Sequence, residues 1–238
     1  MKNTRQSIAI TIASVFACFI NRQFDFQSKD ELLILEALRR SKKSLENAPI
    51  DVLGDYVRDM NTTQLQGLAN NVKGIYHELL VEEGINSTDD GLTAEVFPNT
   101  NHPGADIVIK NGDQIIKEVQ LKATDNIELV ERHLDRYPEI PVAATTEVAE
   151  KIEGVHDTGF LDSNLEREVS STLENLSDEG AIGNAEDVVV VSSIIASTKE
   201  ALAILQGKKN INDASGQALQ DVSVAVSTSF MVNLLFNV

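Results

Sequence analysis

The sequence of 238 residues contains one cysteine, no tryptophan and few aromatic side chains of any kind. The single thiol, Cys18, excludes a disulfide within the chain and a zinc site built from several of its cysteines. The shortage of aromatic rings argues against a stacking platform for single-stranded nucleic acid or sugars. The apolar fraction of 42% is ordinary for a globular protein and argues against wholesale disorder.

Basic residues are also scarce, with 20 Lys and Arg against 37 Asp and Glu, which gives a net charge of -17. This excess argues against broad, non-specific binding to nucleic acid, but it leaves room for a locally positive or metal-neutralised cleft. Residues 61–154 alone hold seven basic and seventeen acidic side chains, a net charge of -10, whereas residues 1–60 hold nine and eight, a net charge of +1. The one basic cluster, residues 39–43, is expected to be a solvated helix face.

No apolar run reaches the length of about 20 residues that a membrane-spanning helix needs. The run at residues 7–20 follows Lys2 and Arg5, as in a signal peptide, but lacks a small-residue cleavage site. A buried helix is one interpretation, and a membrane-associated or export segment is the other. Residues 221–238 carry one charge and are nearly long enough to enter a bilayer. The expected location is the cytoplasm, with membrane contact through 7–20 or 221–238, or export, as alternatives.

The first 85 residues are predicted to be helical. Ser28 and Glu31 form a capping-box pattern ahead of a helix that is expected to end near Glu46. Asn61 with Gln64 gives a second start signal, and apolar residues at helical spacing predict a helix over 63–83 that Gly84 ends.

A different pattern follows, with short β-rich segments separated by turn residues. It predicts strands at 92–97, 105–109 and 114–123, with Asn111-Gly112 as a hairpin turn between the last two. A helix at 127–137, a strand at 140–146 and a helix at 147–152 complete the series. The predicted organisation is a helical N-terminal extension at 1–61, an α/β core at 62–154, a linker or mobile cover at 155–185 and an apolar helical hairpin at 186–238.

The predicted hairpin carries a polar row. Because strand side chains alternate between faces, Glu118, Gln120 and Lys122 are expected on one face, with the apolar Val119 and Leu121 buried on the other. Asp106, at the start of the partner strand, has few polar neighbours in sequence.

Such a set of side chains suits hydrolysis of a phosphodiester. The reaction needs a divalent cation held by oxygens, and a positive charge beside the phosphate. Asp106 offers a carboxylate, Gln120 an amide oxygen or the adjacent backbone, and Lys122 the positive charge. Glu78, on the preceding helix, offers a further carboxylate.

At this point the chain resembles the PD-(D/E)XK nuclease superfamily. The sequence PGAD at 103–106 is similar to the first half of that motif with two residues inserted, and VQLK at 119–122 to the second half, with Gln120 in place of an acid. The Gln-x-Lys form resembles restriction endonucleases that cleave modified DNA and relatives of archaeal junction resolvases. The resemblance covers residues 62–146, where Glu78 matches the acid that the superfamily often carries on a helix.

The resemblance implies a restriction-endonuclease-like core of a helix, three strands, a helix and a strand. It implies an endonuclease that uses Mg²⁺ or Mn²⁺, held by Glu78, Asp106 and Gln120, with Lys122 positioning water or stabilising the phosphate. The implied partner is nucleic acid, expected to be DNA. Defence against foreign DNA, action as a toxin and mobile-element processing stay open as the biological setting. A homodimer is compatible with cutting both strands.

Three alternatives stay open. Asp106 or Glu118 with Lys122 can form a purely structural salt bridge on the hairpin. Gln120, in place of an acid, suits an inactive member of the fold that serves only for interaction. A membrane-associated protein with a soluble nuclease-like domain is the third. The histidines His102, His133 and His156 show no metal-like spacing.

Overall fold

The computed structural model describes residues 12, 15–16, 18–20, 22, 24–98 and 102–162. Within these ranges helices come first, and a five-stranded sheet with further helices follows. This confirms the predicted α/β class. The predicted helical hairpin at 186–238 and the predicted linker from residue 163 onward lie outside the described residues.

From residue 24 onward, three helices precede the sheet: α1 (Lys29–Arg40), α2 (Ile50–Arg58) and α3 (Thr62–Asn86), with a short 3-10 helix at Lys43–Leu45 between the first two. The predicted capping box at Ser28 is present, and the predicted start signal at Asn61 is a second capping box. The Ser28 hydroxyl accepts a bond from the backbone N–H of Glu31, whose carboxylate accepts one from Ser28, and Asn61 and Gln64 do the same for α3. The helix predicted over 63–83 is therefore confirmed.

Two helix ends differ from the predictions. The first helix was predicted to run to about Glu46, but α1 ends at Arg40, where the Ser41 hydroxyl donates to the Leu38 carbonyl at 2.7 Å. The third helix passes Gly84 and ends at Asn86. The side chain of Ile85 is fully buried, and its packing in the core stabilises two further helical residues. Burial thus outweighs the glycine signal at this end.

The sheet contains β1 (Leu92–Val96), β2 (Ile107–Asn111), β3 (Gln114–Lys122), β4 (Val142–Ala144) and β5 (His156–Asp157), in that spatial order. The first three strands are antiparallel neighbours, and β4 and β5 then add in parallel. Helix α4 (Ile127–Arg136) connects β3 to β4, and a short helix, α5 (Thr146–Ala149), follows β4. A crossover helix is what a parallel connection requires.

The β2–β3 hairpin turns one residue later than predicted. Asn111 pairs with Gln114, so the two-residue loop is Gly112-Asp113 rather than Asn111-Gly112. Gly112 has a φ of +57°, whereas Asp113 is not among the residues with positive φ. A positive φ at the first loop position alone is typical of a type II′ turn, whereas an Asn-Gly loop is typical of a type I′ turn. The pairing register also shifts by one residue between Ile109 and Lys110.

Apolar side chains cover both faces of the sheet. Ile107, Val119 and Leu121 face α1–α3 and belong to the main core. The opposite face carries Val142 and Ala144, which cluster with side chains of α4 and α5. Gln120 and Lys122 are the register partners of Val142 and Ala144, so they lie on this second face.

The sheet extends beyond the predicted end of the core at residue 154. Strand β5 pairs with β4, and the chain after it packs on α3. The buried carboxylate of Asp162 lies 2.9 Å from the ammonium of Lys73, and Phe160 contacts the ring of His77 edge-on. Residues 155–162 are therefore part of the folded body, contrary to the prediction of a linker or mobile cover starting at 155.

In the part of the chain that the structure describes, no helix combines the length and apolar character needed to cross a membrane. Four apolar residues of the 7–20 run are helical and belong to the main core: Ile12, Val15, Phe16 and Phe19. Membrane contact through 7–20 or 221–238 stays a prediction, and the second range lies outside the described residues.

Candidate functional site

The four side chains predicted to form the site come from three places in the fold. Glu78 lies on α3, Asp106 directly precedes β2, and Gln120 and Lys122 lie at the end of β3. In an antiparallel pair one strand begins where the other ends, so Asp106 meets the end of β3. Glu78 is half-buried and interacts electrostatically with both Asp106 and Lys122. Both acids and the lysine therefore share one neighbourhood.

The Asp106 carboxylate completes the backbone pairing of β3. Its Oδ2 atom accepts a bond from the backbone N–H of Leu121 at 2.8 Å and another from the side-chain amide of Gln120. Among the described residues both donors take Oδ2, which leaves Oδ1 as the oxygen for another partner. A carboxylate fixed by two donors has a defined direction before any ligand arrives.

Gln120 is more enclosed than the alternating pattern predicts. Val119 and Leu121 are buried on the main-core face as expected, but Gln120 is itself only 5% exposed and lies beside Val142. Its Nε2 atom donates to Asp106 and to the carbonyl of Leu121 at 3.0 Å. Because both partners are acceptors, the nitrogen end of the amide faces Asp106.

Glu78 holds its proton unusually tightly. Burial and then the neighbouring charge of Asp106 raise the pKa of Glu78 from 4.5 to about 8, against the opposing effects of Arg40 and Lys122. In the absence of a further cation, Glu78 is therefore mostly protonated at neutral pH.

The pKa of Asp106 is raised as well. Burial is the largest cause. Four groups oppose it by favouring the charged form, namely the Leu121 N–H, Lys122, Gln120 and His102. Two neighbouring acids with raised pKa values form an arrangement that a bound cation would relieve.

Arg40 is a member of the site that the sequence pattern missed. It was assigned to a solvated basic face, but its Nη2 atom donates to the carbonyl of Phe97 at 2.9 Å, and its charge lowers the pKa of Glu78. The backbone N–H of Phe97 in turn donates to the carbonyl of Asp106 at 3.0 Å. One available signal was the spacing of three from the fully buried Ala37, which places Arg40 towards the inner face of α1.

Two histidines border the site although neither has metal-like spacing in the sequence. His102 stacks on Phe97, with ring centroids 3.8 Å apart, and its charge favours the ionised form of Asp106. On α4, burial and the nearby Lys122 lower the pKa of His133, while a hydrogen bond with the backbone of Gly104 opposes this. His102 lies four residues before Asp106 in the sequence, whereas His133 comes to the site through the packing of α4.

Gly104 allows the chain to enter β2 at this point. Its φ of +86° is a conformation that side chains disfavour, and an added Cβ would lie 2.6 Å from the Ile140 side chain. Packing of Tyr137 and Ile140 against the glycine fixes the backbone two residues before Asp106.

No cluster of three or more His, Cys, Asp or Glu side chains arranged to hold a metal occurs among residues whose placement is described. The predicted ligand set of two carboxylates and one amide differs from such a cluster in composition. Its fit to a cation depends on Glu78 and Asp106, since both carboxyl groups are half-buried and the charge of Asp106 raises the pKa of Glu78. Gln120 fits only if its amide turns, because its nitrogen faces Asp106.

The site thus combines two coupled acids, an amide, a lysine and an arginine at one end of a mixed sheet. The β2–β3 hairpin brings together Asp106, Gln120 and Lys122, and the packing of α1 against α3 adds Arg40 and Glu78. Comparison of the chain with models of known protein families, with characterised proteins and with solved structures found no match.

Proposed function

We propose that this protein is a metal-dependent endonuclease that hydrolyses phosphodiester bonds of nucleic acid, with DNA as the expected substrate. The observation that carries the proposal is the coupling of Glu78 and Asp106 beside Lys122 at the end of β3. Two half-buried carboxyl groups near each other cost stability, a bound cation would offset that cost, and an adjacent lysine suits a phosphate.

The order of elements supports the same function. Helix α3, the antiparallel strands β1 to β3, helix α4 and the parallel strand β4 follow one another as in a PD-(D/E)XK core. Strand β5 adds to the edge of that arrangement. The agreement concerns element order and strand direction, and it does not include the superfamily's usual acid at position 120.

The residues that would hold Mg²⁺ or Mn²⁺ are Asp106 and Glu78, with Gln120 as a third ligand once its amide has turned. A bound divalent cation would supply an acidified water and neutralise charge on the phosphate. Glu78 must release its proton to take part, so the site takes up a cation more readily as the pH rises towards 8.

The chain's own groups have distinct roles in this proposal. Leu121 holds Asp106 in position through its backbone N–H. The ammonium of Lys122 interacts with Glu78 and Asp106, and so lies where it can stabilise developing negative charge on the phosphate. Pairing with Ala144 of β4 holds the backbone at Lys122 in place.

The test is a cleavage assay on plasmid and single-stranded substrates in Mg²⁺ or Mn²⁺ with the full chain. Lys122→Ala should lower the cleavage rate by about a hundredfold or more, because it removes a cation from the transition state. Lys110→Ala is the matched control, since Lys110 lies in the same hairpin and pairs with Glu95 at 2.6 Å. Cleavage by Lys122→Ala at the wild-type rate, or no cleavage by any preparation, would refute the proposal.

A second candidate function is nucleic-acid or protein binding by an inactive member of the same fold. Gln120 replaces the usual acid, and its amide already occupies one side of Asp106. In that case the wild-type chain binds its partner without cleaving it, and Lys122→Ala changes binding alone. The acidic net charge of the core segment favours a protein partner in this alternative.

A further inference from the structure

Arg40 connects the N-terminal helices to the candidate site. It is the last residue of α1, which packs against α3, the helix that carries Glu78. Its guanidinium donates a hydrogen bond to the Phe97 carbonyl at 2.9 Å. The backbone N–H of Phe97 in turn donates to the Asp106 carbonyl at 3.0 Å. A single residue, Phe97, therefore lies between the guanidinium and the backbone of the site acid.

The guanidinium has donors to spare. Arginine carries five N–H donors, and the described residues use one Nη2 bond to Phe97. The Nε atom is buried and has no hydrogen-bond partner in the described part of the chain. A buried donor without an acceptor is unfavourable, and an anion at this position would satisfy it.

The neighbouring arginine shows what a purely structural role looks like. Arg39 donates from Nε to the Ala48 carbonyl at 3.1 Å, and its Nη1 lies 3.7 Å from the Glu36 carboxylate. Its contacts join α1 to the following loop and lie away from the candidate acids. Both arginines lie on α1 and donate to a backbone carbonyl. They differ at Nε, which is bonded in Arg39 and has no partner among the described residues in Arg40.

The charge distribution makes an added cation useful at this site. Residues 61–154 carry a net charge of -10, which repels a polyanion, whereas residues 1–60 carry +1. Arg40 belongs to residues 1–60, and its bond to Phe97 places it at the end of the sheet where Asp106 and Lys122 lie. Resting on the nuclease function proposed above, we propose that Arg40 binds a phosphate oxygen of the nucleic acid, so that the N-terminal helices form part of the substrate site.

The test compares Arg40→Met with the matched variant Arg39→Met in the full chain. Binding of a short fluorescein-labelled DNA duplex, and of its single strand, is followed by fluorescence anisotropy in Ca²⁺ and in EDTA, so that cleavage does not interfere. Arg40→Met should weaken binding about tenfold to a hundredfold, because a charge-assisted hydrogen bond is lost. Arg39→Met should bind within about twofold of the wild type.

Arg40→Lys guards against a folding defect. It keeps the charge and the aliphatic stem but loses the planar fork, so it should fold as the wild type does and still bind several-fold more weakly. Circular dichroism and a thermal melt of each variant report folding independently of binding.

Two results would overturn the inference while the nuclease proposal stands. One is wild-type affinity in a folded Arg40→Met protein, which would assign Arg40 to neutralising Glu78. The other is an equal loss in the Arg39 and Arg40 variants, which would indicate a general charge effect. A wild-type chain that neither binds nor cleaves nucleic acid would instead refute the proposed function, and this inference with it.

Discussion

The carboxylate of Asp106 has two functions at the scale of single residues. It supplies the acceptor that the backbone N–H of Leu121 would otherwise lack where β2 stops. It also stands beside Glu78 with Oδ1 turned away from both described donors. The two bonds to Oδ2 fix the direction of the carboxylate, which would lower the ordering cost of binding the proposed cation.

Glu78 should make the protein less stable as the pH rises. Its folded pKa of about 8 exceeds the ordinary 4.5, so the folded state binds a proton that the unfolded chain releases. The stabilisation is fully present below about pH 4.5 and is lost as the pH approaches 8. Without divalent cations, we expect the free energy of unfolding to fall between about pH 5 and pH 8, by at most about 1.4 kcal/mol per pH unit.

Glu78→Gln mimics the protonated acid and should remove this slope in urea denaturation series measured in EDTA. Glu95→Gln is the control, because Glu95 lies on the exposed side of β1 and pairs with Lys110. It should keep the wild-type slope. Identical slopes for wild type and Glu78→Gln would show that Glu78 titrates normally.

Local pattern identified only part of the site. Asp106, Gln120 and Lys122 lie in one hairpin, so alternation and a turn signal were enough to place them near one another. Arg40 and His133 reach the site through helix packing, over distances in sequence that no periodicity spans. The enclosed state of Gln120 was also unpredictable, because it depends on the neighbouring strand β4.

At the scale of elements, buried polar contacts join α3 to the segment 156–162. The Thr158 hydroxyl donates to the Ala144 carbonyl at 3.1 Å and lies 2.9 Å from Nε2 of His77. Since its one hydrogen goes to Ala144, His77 must donate from Nε2. Burial, with a contribution from Lys73, lowers the pKa of His77 to about 3, so the ring is neutral at pH 7.

Thr158→Val should therefore destabilise the protein. It keeps the side-chain volume but leaves the buried Nε2 donor of His77 without a partner, whereas the Ala144 carbonyl keeps its bond from the backbone N–H of residue 158 at 3.0 Å. We expect a loss of about 1–3 kcal/mol in the free energy of unfolding at pH 7, measured by urea denaturation. Thr93→Val on the exposed side of β1 should change stability by less than about 0.5 kcal/mol. Equal effects of the two substitutions would rule out this role for Thr158.

The helices and the long strands were predictable because their signals are local, whereas β5 was not. The capping boxes at Ser28 and Asn61 mark helix starts and each span four residues. The side chains of the long β3 alternate between the two faces of the sheet. Strand β5 has two residues, too few to show any period. Its place in the sheet follows from contacts with β4 and α3, which the composition of a polar segment does not reveal.

For the whole molecule, the folded body extends beyond residue 154 and includes β5 and the residues after it as far as 162. Phe160 is buried in the main core, and Asp162 is buried against Lys73. Residues 155–162 thus contribute both apolar area and a charge partner for α3. The prediction of a boundary at 154 was drawn from polar composition, which this segment shares with loops.

Two truncated chains test this boundary. A chain ending at residue 154 should be less stable than one ending at 162 by about 3 kcal/mol or more, because it loses the buried Phe160, the Thr158–His77 hydrogen bond and the Lys73–Asp162 ion pair together. Both lack residues 163–238, so the difference in their urea midpoints reports residues 155–162 alone. Equal midpoints would show that the segment contributes nothing to the fold.

The register shift in the β2–β3 hairpin decides which side chain Asp106 meets. Near the turn Asn111 pairs with Gln114 and Lys110 with Ile115, but beyond the shift Ile107 pairs with Val119. Without the extra residue in β3, the same turn would align Asp106 with Val119, an apolar residue on the opposite face. The insertion therefore realigns the strands by one position and sets the acid opposite Gln120. A single surplus residue in the hairpin thus determines the composition of the site at its far end.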